Sequence, residues 1–80
     1  MPWWVYFLRC VDGTLYCGAT SDYERRVLRH GRGQVKYTRG RLPVELVYLE
    51  LCDDKSAALR REYALKRLTR TQKLKLLELA

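Results

Sequence analysis

The sequence has few of the residues that stabilise a small protein through cross-links or metal ions. It contains three cysteines and one histidine in 80 residues. Cys10 and Cys17 are seven positions apart, which is not the spacing of a zinc knuckle, and only His30 could join them as a ligand. The sequence therefore disfavours a structural zinc site or a disulfide scaffold, and it predicts that the cysteines are small buried apolar residues.

Long apolar runs are also absent. No stretch approaches the roughly 18 uninterrupted apolar residues that a membrane-spanning helix needs. The N-terminus, Met1-Pro2-Trp3-Trp4, has no basic region followed by a long apolar run, so no signal peptide is expected. Hydrophobic residues nevertheless make up 48% of the chain, which is too many for intrinsic disorder. We expect a single cytoplasmic globular domain over residues 1–80.

Negative charge is scarce relative to positive charge. The chain has 16 Lys and Arg residues against 9 Asp and Glu residues, for a formal net charge of +7. This balance favours an acidic partner, and charge alone does not separate a nucleic acid from an acidic protein surface.

The first 19 residues have the pattern of an antiparallel hairpin. Residues 3–10 are aromatic and apolar, which predicts a strand buried largely on both faces. Asp12-Gly13 favours a two-residue primed turn, and residues 15–19 then return as a short second strand. Further along the chain, residues 44–51 predict a third strand.

A capping box predicts the first helix. Ser21 can accept a hydrogen bond from a free backbone N–H of the first turn, while Glu24 reaches back to the chain before it. The helix should run to about His30 and stop at the following glycine. At about 100° per residue, Arg26 and His30 lie one turn apart on an otherwise apolar face.

Two helices are predicted after the third strand. An aspartate caps the first of them, over residues 56–68, and the second runs from about residue 69 to 79. Leu74, Leu77 and the aliphatic stem of Lys73 are candidates to face inward on the second. The element order strand-strand-helix-strand-helix-helix implies an α+β fold. We expect a small three-stranded antiparallel or mixed sheet flanked by three helices.

One carboxylate in the second predicted helix conflicts with the apolar pattern around it. Periodicity places Glu62 angularly between Ala58 and Leu59, close to Leu65. Burying a carboxylate costs several kcal/mol unless it is paired or bound to a metal. A salt bridge such as the four-residue pair with Lys66, exposure at the rim, and metal binding all remain open.

These residues, taken in order, resemble the GIY-YIG nuclease superfamily, in particular its small stand-alone bacterial members. The first family tripeptide falls on Trp4–Tyr6 and the second on Tyr16–Gly18. The family's helix arginine falls on Arg26, and the Tyr or His one turn later falls on His30. The metal-binding glutamate falls on Glu62. The resemblance covers nearly the whole chain, and its strength lies in the order and spacing of the motifs.

The resemblance implies a site that hydrolyses phosphodiesters with one Mg²⁺ or Mn²⁺ ion. Tyr16 would act as general base; phenols need nearby positive charge or a metal-bound water for this role at neutral pH. Arg26 would bind the non-bridging phosphate oxygens, and Glu62 would hold the ion. Tyr6 would position the water or the phosphate, and His30 would hydrogen-bond the phosphate or assist proton transfer.

Each of these residues also has a structural alternative. Tyr6 and Tyr16 could be ordinary strand aromatics with satisfied hydroxyls, and Cys17 is interpreted as packing. His30 could simply interact with the negative end of the helix dipole. Gly18 would allow close backbone packing beside the site, or it could mark only a β-bulge.

A basic loop is predicted between the first helix and the third strand. Lys36, Arg39 and Arg41 would contact phosphates, and Tyr37 would stack on a base or reach the site. The alternative is a solvated charged loop.

The sequence departs from the family pattern at three places. Trp4 stands where the first motif has Gly, and Ala19 stands where repair nucleases often have Lys. The Asn of the larger enzymes' final motif has no match in residues 68–72. The second and third departures leave the strength of catalysis open.

The preferred hypothesis is a metal-dependent endonuclease-type domain that hydrolyses DNA with weak sequence preference, because phosphate contacts position a protein without specifying bases. One alternative is a non-catalytic nucleic-acid-binding module that uses the same basic groove. Another is an adaptor that docks an acidic protein partner, and a partner could also supply substrate targeting. The choice of DNA or RNA, the substrate structure, the oligomeric state and the pathway (DNA repair, restriction or mobile elements) stay open.

Overall fold

In the computed structural model, which describes residues 2–79, one three-stranded sheet carries three helices. The elements in chain order are β1 (Trp3–Cys10), β2 (Leu15–Thr20), α1 (Tyr23–Gly31), β3 (Val44–Cys52), α2 (Lys55–Lys66) and α3 (Arg70–Leu79). The predicted order and the α+β class are confirmed. The predicted domain of residues 1–80 also includes Met1 and Ala80, which lie outside the described residues.

The apolar first strand lies at the centre of the sheet. The strand order is β2-β1-β3, and both pairings are antiparallel. Side chains alternate between the two faces of a strand, yet Val5, Tyr6, Phe7 and Leu8 are all 0% exposed. Both faces of β1 are therefore covered, as its continuous apolar sequence predicts.

The two faces of the sheet are covered by different elements. Val5 and Phe7 pack in one core cluster with Ala58 and Leu65 of α2. On the opposite face, α1 packs against the sheet, and the ring of its Tyr23 meets Trp4 edge-on at 4.9 Å between centroids. The strand β2 is thus an outer edge of the sheet, with α1 on one side and α2 on the other.

The turn between β1 and β2 is one residue longer than predicted. The N–H of Cys10 donates to the carbonyl of Thr14 at 2.8 Å, and the N–H of Gly13 donates to the carbonyl of Cys10 at 2.9 Å. The loop therefore has three residues, and Gly13 occupies its left-handed last position with φ +85°. The Asp-Gly dipeptide locates the turn correctly, but it is compatible with both loop lengths.

The first helix begins one residue later than the predicted capping box. Asp22 is the N-cap, and its Oδ1 accepts the N–H of Arg25 at 3.1 Å. The hydroxyl of Thr20 in turn accepts the N–H of Asp22 at 3.1 Å. Ser21 is therefore not the cap, because the neighbouring carboxylate caps equally well and also interacts favourably with the helix dipole.

The second helix is slightly shorter than the predicted 56–68. Asp54 is its N-cap and accepts the N–H of Ala57 at 2.8 Å. Ala58 and Leu65 are its two buried residues, with 0% and 1% of their surface exposed. They hold the helix against the sheet and so fix the direction of the other side chains on α2.

The third helix packs through a stripe that differs from the predicted one in one leucine. Leu76 and Leu77 contact the core, and Lys73 is half-buried at the position three residues before Leu76. This i, i+3, i+4 pattern is the apolar stripe of an amphipathic helix. The prediction that Leu74 faces inward is wrong, because this side chain lies beside the stripe and is 44% exposed.

The cysteines lie at positions that agree with a packing role. All three are free thiols; Cys10 and Cys17 are buried, and Cys52 is partly buried. None of the helices within residues 2–79 has the length and apolar character needed to cross a bilayer.

The packing of Leu65 can be tested by truncation. We expect Leu65→Ala to lower the free energy of unfolding by about 2–5 kcal/mol, because the deletion leaves a cavity in the core. Urea denaturation measures this difference. Leu59→Ala is the matched control, since Leu59 lies on the same helix and is 44% exposed. An equal loss in the two variants would contradict the described packing of α2.

Candidate active site

The tyrosine of β1 and the glycine of β2 are directly opposed in the sheet. Tyr6 pairs with Gly18, and its side chain lies across the glycine. A Cβ added at Gly18 would lie 2.6 Å from Cζ of Tyr6, closer than such atoms approach in folded proteins. The register of β1 with β2 is unbroken here, so Gly18 does not mark a bulge. Its missing side chain makes room for the tyrosine.

A chain of buried hydrogen bonds begins at that tyrosine. The hydroxyl of Tyr6 lies 3.2 Å from Nε2 of His30, and Nδ1 of the same ring lies 2.8 Å from Oγ1 of Thr38. All three side chains are 0% exposed. The chain joins β1, α1 and the loop after α1, and so it holds three parts of the fold in one arrangement.

The electrostatic setting keeps this chain neutral. Burial lowers the pKa of His30 to about 4, and the positive charges of Arg26 and Arg29 act in the same direction. Burial also raises the pKa of Tyr6, as does the neighbouring Tyr16. A neutral imidazole has one donor and one acceptor nitrogen, so one of the two hydroxyls donates to the ring and the other accepts from it.

This burial changes what two of the expected site residues can do. The resemblance assigns His30 to a phosphate hydrogen bond or to proton transfer, and it assigns Tyr6 to positioning water or phosphate. Both side chains are fully enclosed, and each is committed to its buried neighbour. In this structure both side chains therefore stabilise the hairpin from the interior, and neither is exposed to a substrate.

The second tyrosine of the motif lies next to this buried chain but reaches the surface. The ring of Tyr16 is half-buried, and its centroid lies 4.8 Å from that of His30. On the outer side it lies 5.4 Å from the ring of Tyr37, which itself lies under the guanidinium of Arg41 at 4.7 Å. Tyr16 is thus fixed by packing on one side and accessible on the other.

A cation from α1 and an anion from α2 both act on this region. The positive charge of Arg26 lowers the pKa of Tyr6, whereas the negative charge of Glu62 raises it. Burial and Glu62 together raise the pKa of Cys17 to about 11. Arg26 on α1 and Glu62 on α2 therefore both act electrostatically on the β1–β2 hairpin.

The carboxylate of α2 is charged and partly accessible. Glu62 is paired with Lys66 at 3.3 Å, and its side chain is 20% exposed. The salt bridge that the four-residue spacing allows is therefore present.

The residues present fit one hard divalent cation and do not fit a closed metal cage. Within residues 2–79, no three His, Cys, Asp or Glu side chains are grouped closely enough to surround an ion. Mg²⁺ commonly keeps several waters and binds through one or two carboxylates together with substrate phosphates. Glu62 supplies such a carboxylate at the rim, once Lys66 is displaced from it.

The basic loop is anchored more firmly than a solvated loop. Arg41 pairs with Asp12 at 3.6 Å and covers Tyr37, and its carbonyl accepts the N–H of Val11 at 3.1 Å. Two further cations, Lys36 and Arg39, are exposed.

Thr38 is the residue of this loop that sequence reasoning missed. It is 0% exposed in a segment rich in charge, because its hydroxyl is bonded to His30. In the sequence, Thr38 lies between Tyr37 and Arg39 in a loop without hydrophobic periodicity, so no pattern marks it as buried. Thr38 thus links the basic loop to His30, which also contacts Tyr6 and Tyr16 of the hairpin.

The close approach of Tyr6 to Gly18 makes the glycine sensitive to substitution. We expect Gly18→Ala to lower the free energy of unfolding by about 1–3 kcal/mol, because the added methyl displaces the tyrosine ring. Chemical denaturation measures this loss. Gly40→Ala is the control, since nothing lies within 4 Å of a Cβ built there. Equal tolerance of both changes would show that Tyr6 does not lie over the glycine.

The buried histidine predicts how stability depends on pH. The folded pKa of about 4 lies below the ordinary value of 6.5, so the unfolded chain binds the proton more tightly. Stability should therefore fall as the pH drops through this interval, by about 2 kcal/mol between pH 7 and pH 5. His30 is the only histidine, so urea titrations of the His30→Gln variant should lack this dependence. Parallel pH profiles for the two proteins would refute the burial.

Comparisons with known proteins agree with the fold and with the motifs. A family model described as the GIY-YIG catalytic domain matches residues 2–75. The chain is 49% identical over 75 residues to a UPF0213 protein from Staphylococcus saprophyticus, covering 92% of each protein. It is 54% identical over 74 residues to a UPF0213 protein from Natronomonas pharaonis, covering 91% of this chain and 87% of the relative.

A solved structure of a UPF0213 protein also resembles this chain. The solution NMR structure of a UPF0213 protein from Bacillus halodurans is similar with a TM-score of 0.66 and 44% identity, covering 99% of this chain and 85% of that one. The chain therefore belongs to the GIY-YIG family, a nuclease-type family, and its relatives are UPF0213 proteins.

Proposed function

We propose that the protein is a metal-dependent endonuclease that hydrolyses DNA phosphodiester bonds with weak sequence preference. The observation that carries the proposal is the packing of Tyr16 on the β1–β2 hairpin, where its half-buried ring lies 4.8 Å from the ring of His30. The charges of Arg26 on α1 and Glu62 on α2 both act on Tyr6 of the same hairpin. A base, a phosphate ligand and a metal ligand are the groups that phosphodiester hydrolysis needs.

Each of these residues has a role that follows from its chemistry. Tyr16 would accept the proton of the attacking water, and the packing against His30 fixes its ring in one orientation. Arg26 would bind two non-bridging phosphate oxygens with its planar fork and so stabilise the charge of the transition state. Glu62 would hold Mg²⁺ or Mn²⁺, which when bound stabilises the leaving oxygen.

The charges around the site suit phosphates more than bases. A cavity of about 190 Å³ at the start of α1 is lined by Thr20, Ser21, Asp22, Arg25, Arg26 and Arg29. Three arginines on one short segment would position a phosphate backbone near the reacting group. Contacts of this kind carry no direct sequence information, which supports weak sequence preference.

One observation favours a second candidate function. The Glu62–Lys66 ion pair neutralises the expected metal ligand, and a protein that kept this pair would bind nucleic acid without cleaving it. Such a binding module would use the same basic groove, and its affinity would fall steeply with salt concentration. An adaptor for an acidic protein would bind no DNA.

Cleavage assays with matched variants test the proposal. Plasmid and oligonucleotide substrates are incubated with Mg²⁺, Mn²⁺ or EDTA. We expect metal-dependent cleavage that falls about 10²-fold or more in Tyr16→Phe, because a positioned general base contributes a rate factor of that size. We expect a comparable loss in Glu62→Gln, because the amide is a poor ligand for the ion.

The control variants make the same chemical changes at exposed positions. Tyr63→Phe and Glu78→Gln should cleave at the wild-type rate, since both residues are exposed. Undiminished cleavage by Tyr16→Phe or Glu62→Gln protein would contradict the assigned roles. Salt-dependent binding without cleavage under any metal condition would instead establish the binding module.

A further inference from the structure

A cavity beside the accessible tyrosine contains two lysines for which the proposed reaction has no use. It has a volume of about 260 Å³ and lies at the outer edge of the sheet. Its lining residues are Leu15, Tyr16, Cys17, Tyr37, Lys66 and Lys73. The strand β2 forms its floor, α2 and α3 contribute the lysines from one face, and the basic loop contributes Tyr37 from the other. The cavity therefore adjoins the reacting group without including Arg26 or Glu62.

Lys73 is the more unusual of the two lysines. It lies in the inward stripe of α3 with Leu76 and Leu77, and its side chain is half-buried. It belongs to none of the ion pairs formed within residues 2–79. A lysine at this position packs its aliphatic stem along the stripe and keeps its ammonium at the surface of the cavity, where an anion from outside can pair with it.

Lys66 brings a second positive charge to the same cavity. Its ammonium is paired with Glu62 at 3.3 Å, and its side chain is 55% exposed, so it can turn between the carboxylate and the cavity. The positive charges of both lysines act on the thiol of Cys17, where they oppose the rise in its pKa that burial and Glu62 cause. Both lysine side chains line the cavity beside Cys17.

The shape and lining of the cavity restrict its ligand. A volume of about 260 Å³ lies below the roughly 300–1,000 Å³ of ordinary small-molecule sites, so the cavity suits one unit of a polymer rather than a free cofactor. Two ammonium groups bind a phosphate, and the rings of Tyr16 and Tyr37 with Leu15 offer apolar surface to a sugar or base. The combination matches one nucleotide of a nucleic acid strand.

We propose that this cavity is a subsite for the phosphate next to the scissile one, with Lys73 as its principal ligand and Lys66 as the second. The proposal rests on the proposed function, because it assumes that the scissile phosphate lies at Tyr16. The subsite fixes the register of the strand relative to the reacting groups. Lys73 is accordingly a binding residue and takes no part in bond cleavage.

The test compares two lysines of one helix. Lys73→Met keeps the aliphatic stem and removes the charge, and Lys75→Met makes the same change two positions away at an exposed site. DNA affinity is measured in EDTA over a range of salt concentrations. We expect Lys73→Met to reduce the salt slope by about 0.9, the value for one neutralised phosphate, and Lys75→Met to leave the slope unchanged.

Two further measurements separate a binding role from a structural one. Lys73→Arg keeps the positive charge and should have the wild-type salt slope of DNA affinity. If Lys73→Met lowered the slope only by disturbing the fold, retaining the charge would not restore it. In cleavage assays, Lys73→Met should raise KM about tenfold with little change in kcat, because the lost interaction is made equally in the ground state and in the transition state.

The possible failures are distinguishable. Equal salt slopes for Lys73→Met and Lys75→Met in a protein that cleaves DNA would overturn the subsite and leave the nuclease proposal intact. A slope that depends on Lys73 in a protein that binds but never cleaves would establish a phosphate contact at this cavity, and it would overturn the nuclease together with the assignment of that phosphate as the neighbour of a scissile one. Absence of DNA binding by the wild-type protein would overturn both.

Discussion

The two hydrogen bonds of the His30 ring are the interaction on which the rest of the site depends. A fully buried imidazole needs partners for both nitrogens, because an unpaired polar group in the interior is costly. Its partners are Tyr6 in the central strand and Thr38 in the basic loop. The tyrosine reaches the ring only because Gly18 has no side chain. The position of Tyr16 against the same ring follows from this arrangement.

Most of the fold could be predicted from local patterns in the sequence. The details that could not be predicted are those for which the same residues are compatible with two local structures. The Asp-Gly dipeptide fits a hairpin loop of two or three residues, and strand register decides between them. Ser21 and Asp22 are both good N-caps, and the end of β2 determines which of them is used. Leu74 and Leu77 look equivalent in sequence, but only packing against the sheet shows which stripe of α3 is buried.

The site residues that could be predicted are the polar ones that interrupt an apolar helix face. Arg26, His30 and Glu62 are polar residues on helix faces that are otherwise apolar, and this conflict identifies them from the sequence alone. Thr38 breaks no pattern of that kind. A threonine in a charged loop resembles a solvated side chain, and only the folded chain shows that it is buried. The inward position of the Lys73 stem could be predicted from the helix period, but the cavity that it lines could not. Contacts between distant segments therefore determine how the site is completed.

The proposal that Arg26, Glu62 and Tyr16 act together on one phosphate is tested most directly by a crystal structure with substrate. The Tyr16→Phe variant is crystallised with an uncleaved oligonucleotide and Mn²⁺, and anomalous scattering locates the ion. We predict one peak at the Glu62 carboxylate, with Lys66 displaced from it and a phosphate between the ion and Arg26. An ion bound elsewhere, or a phosphate beyond hydrogen-bond distance of Arg26, would contradict the proposed site.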